Sequence, residues 1–245
     1  DWFCICASSA DEELPDDPRL PRDFLTSTVL TPIKMAAICH MLQFYRLNLV
    51  NPSFPLDPPC SHLWNEKSPE AAKLAHALTA ITDGIASDSL SPELYHKLFR
   101  CDMLAASLFR HFLLAQYLLR PYRVHPVSYP EIPDLSMHPM WRQWAILLDT
   151  AICAVSIPRP SFNVDLFSRA ATTFEVLMKN GQFDFIRPYH ISLLFHSLLS
   201  DPMNDQPIVL LSEYAKDKRS SPGMLASSTI FSPLFSRLMS LNPTS

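Results

Sequence analysis

The stretch Ser68–Ala86, SPEAAKLAHALTAITDGIA, decides the fold class. It begins with a polar residue followed by proline, whose missing N–H would have no partner in the first turn of a helix anyway. The large apolar residues that follow recur at intervals of three and four, which places them on one face of an α-helix. They are Leu74, Leu78, Ile81 and Ile85. The segment therefore predicts an amphipathic helix that buries one face.

The same kind of start precedes other apolar runs and predicts about eight helices, the last of them short and beginning at Pro233. Seven starts are well marked. They lie near Thr31, Ser68, Ser91, His138, Asn163, Arg187 and Gln206. The chain has 23 prolines but only three glycines, so it offers few of the positive-φ positions that hairpins need. We expect an all-α fold, an irregular multi-helix bundle with proline-rich connecting straps and an extended N-terminal arm.

Composition divides the chain into four parts. Residues 1–30 are predicted to form an extended acidic arm, since residues 1–24 hold seven acidic and two basic side chains. Residues 31–120 form a helical subdomain, and the five prolines within 121–139 mark a strap. Residues 140–245 form a further helical subdomain, or one domain together with 31–120. Because Asp1 is not a methionine, we expect a processed product or a fragment.

Motifs for nucleotide binding, zinc proteolysis and nucleophile-elbow hydrolysis do not occur in the sequence. Most of these motifs place glycines beside a phosphate or a nucleophile, and three glycines leave little room for them. We therefore expect a protein that is not an enzyme and that holds no cofactor.

The six cysteines follow no regular spacing. Zinc sites need thiolate and imidazole ligands that converge on one point. Adjacent residues of a helix point about 100° apart, so Cys39 and His40 would rarely converge on one ion. We expect free thiols, no metal and an intracellular protein. The weak candidates for ligand sets are Cys4-x-Cys6, and Cys39-His40 together with Cys60-x-His62.

Four residues in the arm or a loop are candidate interface anchors, because apolar side chains beside prolines often dock on a partner. They are Trp2, Phe3, Ile5 and Trp64. The arm cannot bury its aromatic tip locally at low entropic cost, so we expect it to dock on a second copy of the chain and build a homo-oligomer.

Three arginines, Arg110, Arg120 and Arg123, have tyrosines nearby in the sequence and are candidate contacts for nucleic acid. The net charge of −4 allows only weak or non-specific binding. Solvated helix faces and favourable interactions with a helix C-terminus are the alternative explanation. No apolar run reaches 18 residues, so we expect no membrane span.

Two functional classes fit these observations. The first is a structural, self-assembling protein such as an α-helical coat or shell (capsid-like) subunit, because the chain is weakly charged, has straps and lacks catalytic motifs. Its glycine-poor, proline-punctuated texture resembles that of helical coat proteins of small RNA viruses. The alternative is a helical regulatory or scaffold domain that binds a protein partner or an apolar ligand.

Overall fold

A computed structural model describes residues 2–46, 68–155, 165–201, 204–221 and 223–224. The chain divides into two compact units. Unit 1 comprises Asp1–Thr82 and Asp102–Val164, and unit 2 comprises Asp83–Cys101 and Asp165–Ser245. Trp64, Asn163 and the helix predicted from Pro233 lie outside the described residues.

Unit 1 is built from helices and one two-stranded sheet. Strand β1 (Cys4–Cys6) pairs antiparallel with β2 (Val127–Tyr129). The described residues of this unit contain four whole helices, α1 (Phe24–Leu30), α2 (Pro32–Arg46), α5 (Met103–Leu119) and α6 (Met140–Val155). Helix α2 packs against α1, α5 and α6, and α1 also packs on α5. Helix α3 (Pro69–Ser89) contributes its residues up to Thr82 to this unit.

Helix α5 is the central helix of unit 1, and its sequence explains both its start and its burial. The Asp102 carboxylate accepts a hydrogen bond from the Ala105 N–H at 2.8 Å, so the helix begins with an aspartate N-cap. Phe109, Phe112 and Leu119 are each at most 1% exposed, and apolar residues between them cover most of the circumference. A helix that is apolar on nearly all sides must be surrounded by others.

Unit 2 contains the last turns of α3 and the helices α4 (Pro92–Phe99), α7 (Leu166–Lys179), α8 (Pro188–Ser200) and α9 (Gln206–Lys216). Helices α7, α8 and α9 pack on one another around a buried core. That core includes Phe174, Ile191, Leu194 and Tyr214, each at most 1% exposed. The Asn180-Gly181 pair ends α7, with Gly181 at φ +69°, a conformation that suits glycine.

The all-α prediction is confirmed. The seven marked helix starts each lie within three residues of an observed one, and Asp102 opens α5 as a separate helix. The units differ from the predicted subdomains 31–120 and 140–245, because residues 83–101 cluster with the C-terminal helices. Two contacts between charged or polar side chains join residues 83–101 to α8 or to the residue before it within unit 2: Asp83 contacts His196, and Asp88 contacts Arg187.

The prediction that the arm docks on a second copy is not supported. Ile5 and its neighbours form β1, which pairs with β2 of the same chain. The Phe3 ring lies 5.7 Å from that of Phe109 in the same unit. The arm also ends earlier than predicted, since α1 begins at Phe24. A partner strand and an aromatic neighbour are available locally, so the tip needs no neighbouring copy.

Candidate protein-interaction surface

The two strands of unit 1 present one exposed apolar face, which we call the ribbon face. Side chains alternate along a strand, so Trp2, Cys4 and Cys6 share one side. The register sets Cys4 opposite Tyr129 and Cys6 opposite Val127, which puts those two side chains on the same side. Trp2 is 68% exposed, Tyr129 55% and Val127 42%. The ribbon face therefore carries two aromatic rings, two thiols and a valine.

Two aromatic rings organise the ribbon face. Trp2 stacks on Tyr129, with ring centroids 4.7 Å apart and planes inclined by 18°. Such a pair contributes roughly 0.5–1.5 kcal/mol beyond the area that it buries. The stack leaves more than half of each ring open to solvent. It is thus a preformed aromatic platform on an otherwise helical unit.

The opposite side of the ribbon attaches it to unit 1. Phe3 meets Phe109 edge to face, and Phe109 is 1% exposed. The Ser128 hydroxyl donates to the Pro130 carbonyl at 2.8 Å and accepts from the Ile132 N–H at 3.1 Å. These contacts fix the turn that follows β2. They therefore hold the ribbon face in one orientation on its unit.

An ion pair fixes the arm a few residues beyond β1. The Glu12 carboxylate accepts hydrogen bonds from the His125 backbone N–H at 2.7 Å and from the ring Nδ1 of His125 at 2.6 Å. These bonds, the backbone bond first, lower the pKa of Glu12 to about 2. The bond to Glu12 raises the pKa of His125. Both groups are thus favoured in their charged forms.

The strap after β2 is held by one buried amide. Gln116 of α5 is 3% exposed. Its Nε2 donates to the Pro133 carbonyl at 3.2 Å, and its Oε1 accepts from the Leu135 N–H at 3.2 Å. The Trp141 indole N–H donates to the Leu135 carbonyl at 2.9 Å. A glutamine in a mostly apolar helix therefore positions the segment that carries β2.

A separate cleft of about 320 Å³ lies in unit 1 between α1, the start of α2, α3 and α5. Leu30, Ile33, Ala71 and Ala75 line it, with His111 among them. The buried Nδ1 of His111 has no hydrogen-bond partner among the described residues. Burial lowers the pKa of His111. The volume is at the lower end for small-molecule sites, and this is where an apolar ligand would fit.

The predicted interface residues of the arm differ in their exposure and contacts. Trp2 lies on the ribbon face, whereas Phe3 faces Phe109 and Ile5 is only partly exposed. Residue types alone give no signal for Val127 and Tyr129, because the run that they belong to is only three residues long.

Of the three candidate arginines, Arg120 has local side-chain contacts and Arg123 has a local backbone contact. Arg120 donates to the Ser136 carbonyl at 3.4 Å and lies over the Tyr117 ring, 5.8 Å from its centroid. Arg123 adopts φ 58°, and its N–H donates to the Arg120 carbonyl at 3.0 Å. Arg110 of α5 lies ten residues before Arg120, which caps the C-terminus of that helix, so the two are about 15 Å apart along the axis. Nothing in this arrangement favours nucleic acid.

The described ranges hold neither a candidate metal site nor a candidate membrane span. No group of three or more potential metal ligands occurs there. None of the helices described combines the length and the apolar character that crossing a bilayer requires.

No protein-family model matches the chain. It is 32% identical over 219 residues, 86% of its length, to the Target of rapamycin complex 1 subunit mip1 of Schizosaccharomyces pombe. It is 31% identical over 221 residues, 87% of its length, to the Regulatory-associated protein of TOR 1 of Arabidopsis thaliana. A crystal structure of Chaetomium thermophilum Raptor superposes with a TM-score of 0.79 and 29% identity over 99% of this chain.

The chain resembles part of raptor. It spans 16% of the length of the two curated relatives and 22% of the crystallised raptor chain. The names of these relatives describe a complex subunit and a regulatory-associated protein. They favour the regulatory or scaffold interpretation and do not support a capsid-like coat, a homo-oligomer or a nucleic-acid binder. The expectation of a non-enzymatic, intracellular protein within a larger assembly agrees with these raptor relatives.

Proposed function

We propose that this chain is a scaffold segment of a raptor-like regulatory subunit, which binds other proteins of a TOR complex 1 assembly and performs no chemical step. The observation that carries the proposal is the identity of 31–32% over 86–87% of the chain to two such proteins. The superposition over 99% of the chain on raptor supports it. Each helical unit then acts as a support that positions its own contact surfaces.

The ribbon face is the contact surface that we assign to unit 1. In the described residues its sheet has two strands, so each strand keeps one edge to which no third strand is paired. Strand edges with free N–H and C=O groups accept an added strand. The partner that fits is an extended protein segment with apolar side chains, which pairs along the edge and covers Trp2 and Tyr129.

A chimera tests the scaffold role. The 219 residues of the fission-yeast subunit mip1 that align with this chain are replaced by the chain itself, and the TOR kinase that copurifies with the tagged chimera is measured. We expect recovery within about threefold of the unmodified subunit. A folded chimera, judged by its helical circular dichroism, that recovers no TOR kinase would reject the scaffold proposal.

A photo-crosslinker tests the ribbon face separately. A benzophenone amino acid is placed at Val127, which is 42% exposed, and in a control at Phe185 of unit 2, which is 65% exposed. We expect irradiation of the assembly to join position 127 to another protein segment, and Trp2→Ala to reduce that product several-fold. Equal yields from both positions, or a yield unchanged by Trp2→Ala, would contradict the assignment.

A further inference from the structure

Two thiols of β1 lie unusually close together. The Sγ atoms of Cys4 and Cys6 are 3.7 Å apart, close to van der Waals contact. Both residues are exposed, and both thiols are free. They are two residues apart in a strand, so the strand itself directs them to the same side. Pairing with β2 holds β1 extended and keeps the two sulfur atoms together.

The other described cysteines lack this arrangement. Cys39 is 2% exposed, so a reagent in solution does not reach it. Cys101 is exposed, and its Sγ lies 3.3 Å from the His96 ring Nδ1. Cys101 is therefore the natural control: an exposed thiol whose polar neighbour is an imidazole.

We propose that Cys4 and Cys6 are a redox-active dithiol that closes reversibly to an intramolecular disulfide by exchange with a small-molecule disulfide. The Cys4 thiolate attacks one sulfur of the small disulfide, which forms a mixed disulfide and releases one thiolate. The Cys6 thiolate then attacks the Cys4 sulfur, closes the bond and expels the second thiolate. The two cysteines lose two protons and two electrons, and the small disulfide is reduced to two thiols.

The hydrogen bond between the thiols is consistent with this order. It is the main cause of the raised pKa of Cys6, with burial and the charge of Cys4 adding to it. In this bond the Cys6 thiol donates to the Cys4 sulfur, and once Cys4 is in a mixed disulfide that sulfur no longer carries the charge that favours the bond. The second sulfur is then held within reach of the first, so ring closure competes well with a second molecule of reagent.

Closure alters the ribbon face. A disulfide needs the sulfur atoms at about 2.05 Å, whereas they now stand 3.7 Å apart. Residues i and i+2 of a strand have Cα atoms about 6.4–6.8 Å apart, at the upper limit for a disulfide, and their parallel side chains leave the Cβ atoms about as far apart. Strand β1 must therefore shorten and give up its extended conformation when the bond forms. A strained, exposed disulfide is readily reduced again. The shortening adjoins Trp2, so the stack on Tyr129 is disturbed when the bond forms.

The test treats the reduced full chain with oxidised glutathione and maps the peptides by mass spectrometry. We expect the peptide with Cys4 and Cys6 to lose two hydrogens, with at least ten times more internal disulfide than glutathione adduct. Cys101 should carry glutathione instead. In Cys4→Ser, Cys6 should carry the adduct, and dithiothreitol should restore both thiols of the unmodified chain.

Three results would overturn the proposal. They are adducts on both Cys4 and Cys6, unreacted Cys4 and Cys6 while Cys101 reacts, and pairing of either with another cysteine. The fluorescence difference between the chain and Trp2→Phe should change on oxidation and recover on reduction, and an unchanged difference would refute the effect on the ribbon face. The exchange needs no protein partner, so its outcome is independent of the proposed scaffold function.

Discussion

Replacing Arg100 with methionine should destabilise unit 2 strongly, because a buried carboxylate would lose its guanidinium partner. Asp83, near the end of α3, is 0% exposed. Its Oδ2 lies 3.4 Å from Nη2 of Arg100 and 3.2 Å from Nε2 of His196. Arg100 also hydrogen-bonds the Tyr95 hydroxyl and lies over the Tyr95 ring, 5.1 Å from its centroid. The substitution removes the contacts that Arg100 makes with Asp83 and Tyr95, and leaves that between Asp83 and His196.

The magnitude follows from the burial of the pair. Removing one partner of a buried ion pair costs about 3–5 kcal/mol, because the remaining charge stays in a poorly solvated site. The Arg100 side chain is 19% exposed, so water can partly replace it and we expect the lower end, about 3 kcal/mol. Asp83→Asn together with Arg100→Met removes the charge as well. The double variant should therefore regain at least about 1 kcal/mol relative to Arg100→Met.

Urea unfolding and hydrogen exchange measure the effect. Exchange should accelerate in peptides from residues 83–101 and 188–200. Lys179→Met is the control, because it breaks the solvent-exposed i, i+4 ion pair with Glu175 and should change the free energy of unfolding little. The reasoning is refuted when Arg100→Met costs no more than the control, or when the double variant is no more stable than Arg100→Met alone.

Three further predictions concern single contacts. Burial lowers the pKa of His190 to about 4, and its neutral Nδ1 accepts from the Arg187 N–H at 3.0 Å. The stability that the neutral His190 contributes is complete above pH about 6.5 and is lost as the pH falls towards about 4. Protection of the first turn of α8 from hydrogen exchange should therefore decrease over that range, and constant protection would contradict this expectation. The Glu12–His125 pair should be strongest from about pH 4.5 to 6.5, because it weakens as the pH falls towards the lowered pKa of Glu12 and as it rises through the raised pKa of His125. In Glu12→Gln an NMR titration should find a lower pKa for His125, and an unchanged value would exclude the ion pair as the cause. Gln116→Leu should cost about 2 kcal/mol in urea unfolding, because two backbone groups of the strap lose their partner, and a cost under about 0.5 kcal/mol would show that water replaces the amide.

Helices that begin with proline could be predicted from the sequence, because the signal is local. Pro32, Pro69, Pro92 and Pro188 each open a helix where a polar-proline pair marks the start. Helix α1 has no such mark and lies beside an acidic, proline-rich stretch, so its composition resembles a disordered arm. Local signals thus predict the helices that begin with proline and miss α1, whose flanking composition is typical of a disordered segment.

The ribbon face could not be predicted, because its evidence is not local. Each strand has three residues, too few for an alternating pattern, and their partners lie more than 100 residues apart in the chain. Trp2 could be recognised as an exposed aromatic residue, yet its contact with Tyr129 depends on that distant pairing. The division into units likewise depends on which distant parts of the chain lie together, and the contact of Asp83 with His196 in unit 2 joins residues that no sequence spacing relates.

The prolines at the helix starts also affect how the helices form. Nucleating a helix is costly because the first turn fixes several backbone dihedral angles for a single hydrogen bond. Proline already holds its φ near −65° in the denatured chain, so part of that ordering is complete before folding begins. Helices α2, α3, α4 and α8, which begin at Pro32, Pro69, Pro92 and Pro188, therefore nucleate at a fixed residue. A proline at these four positions therefore reduces the conformational entropy that the first turn loses on folding.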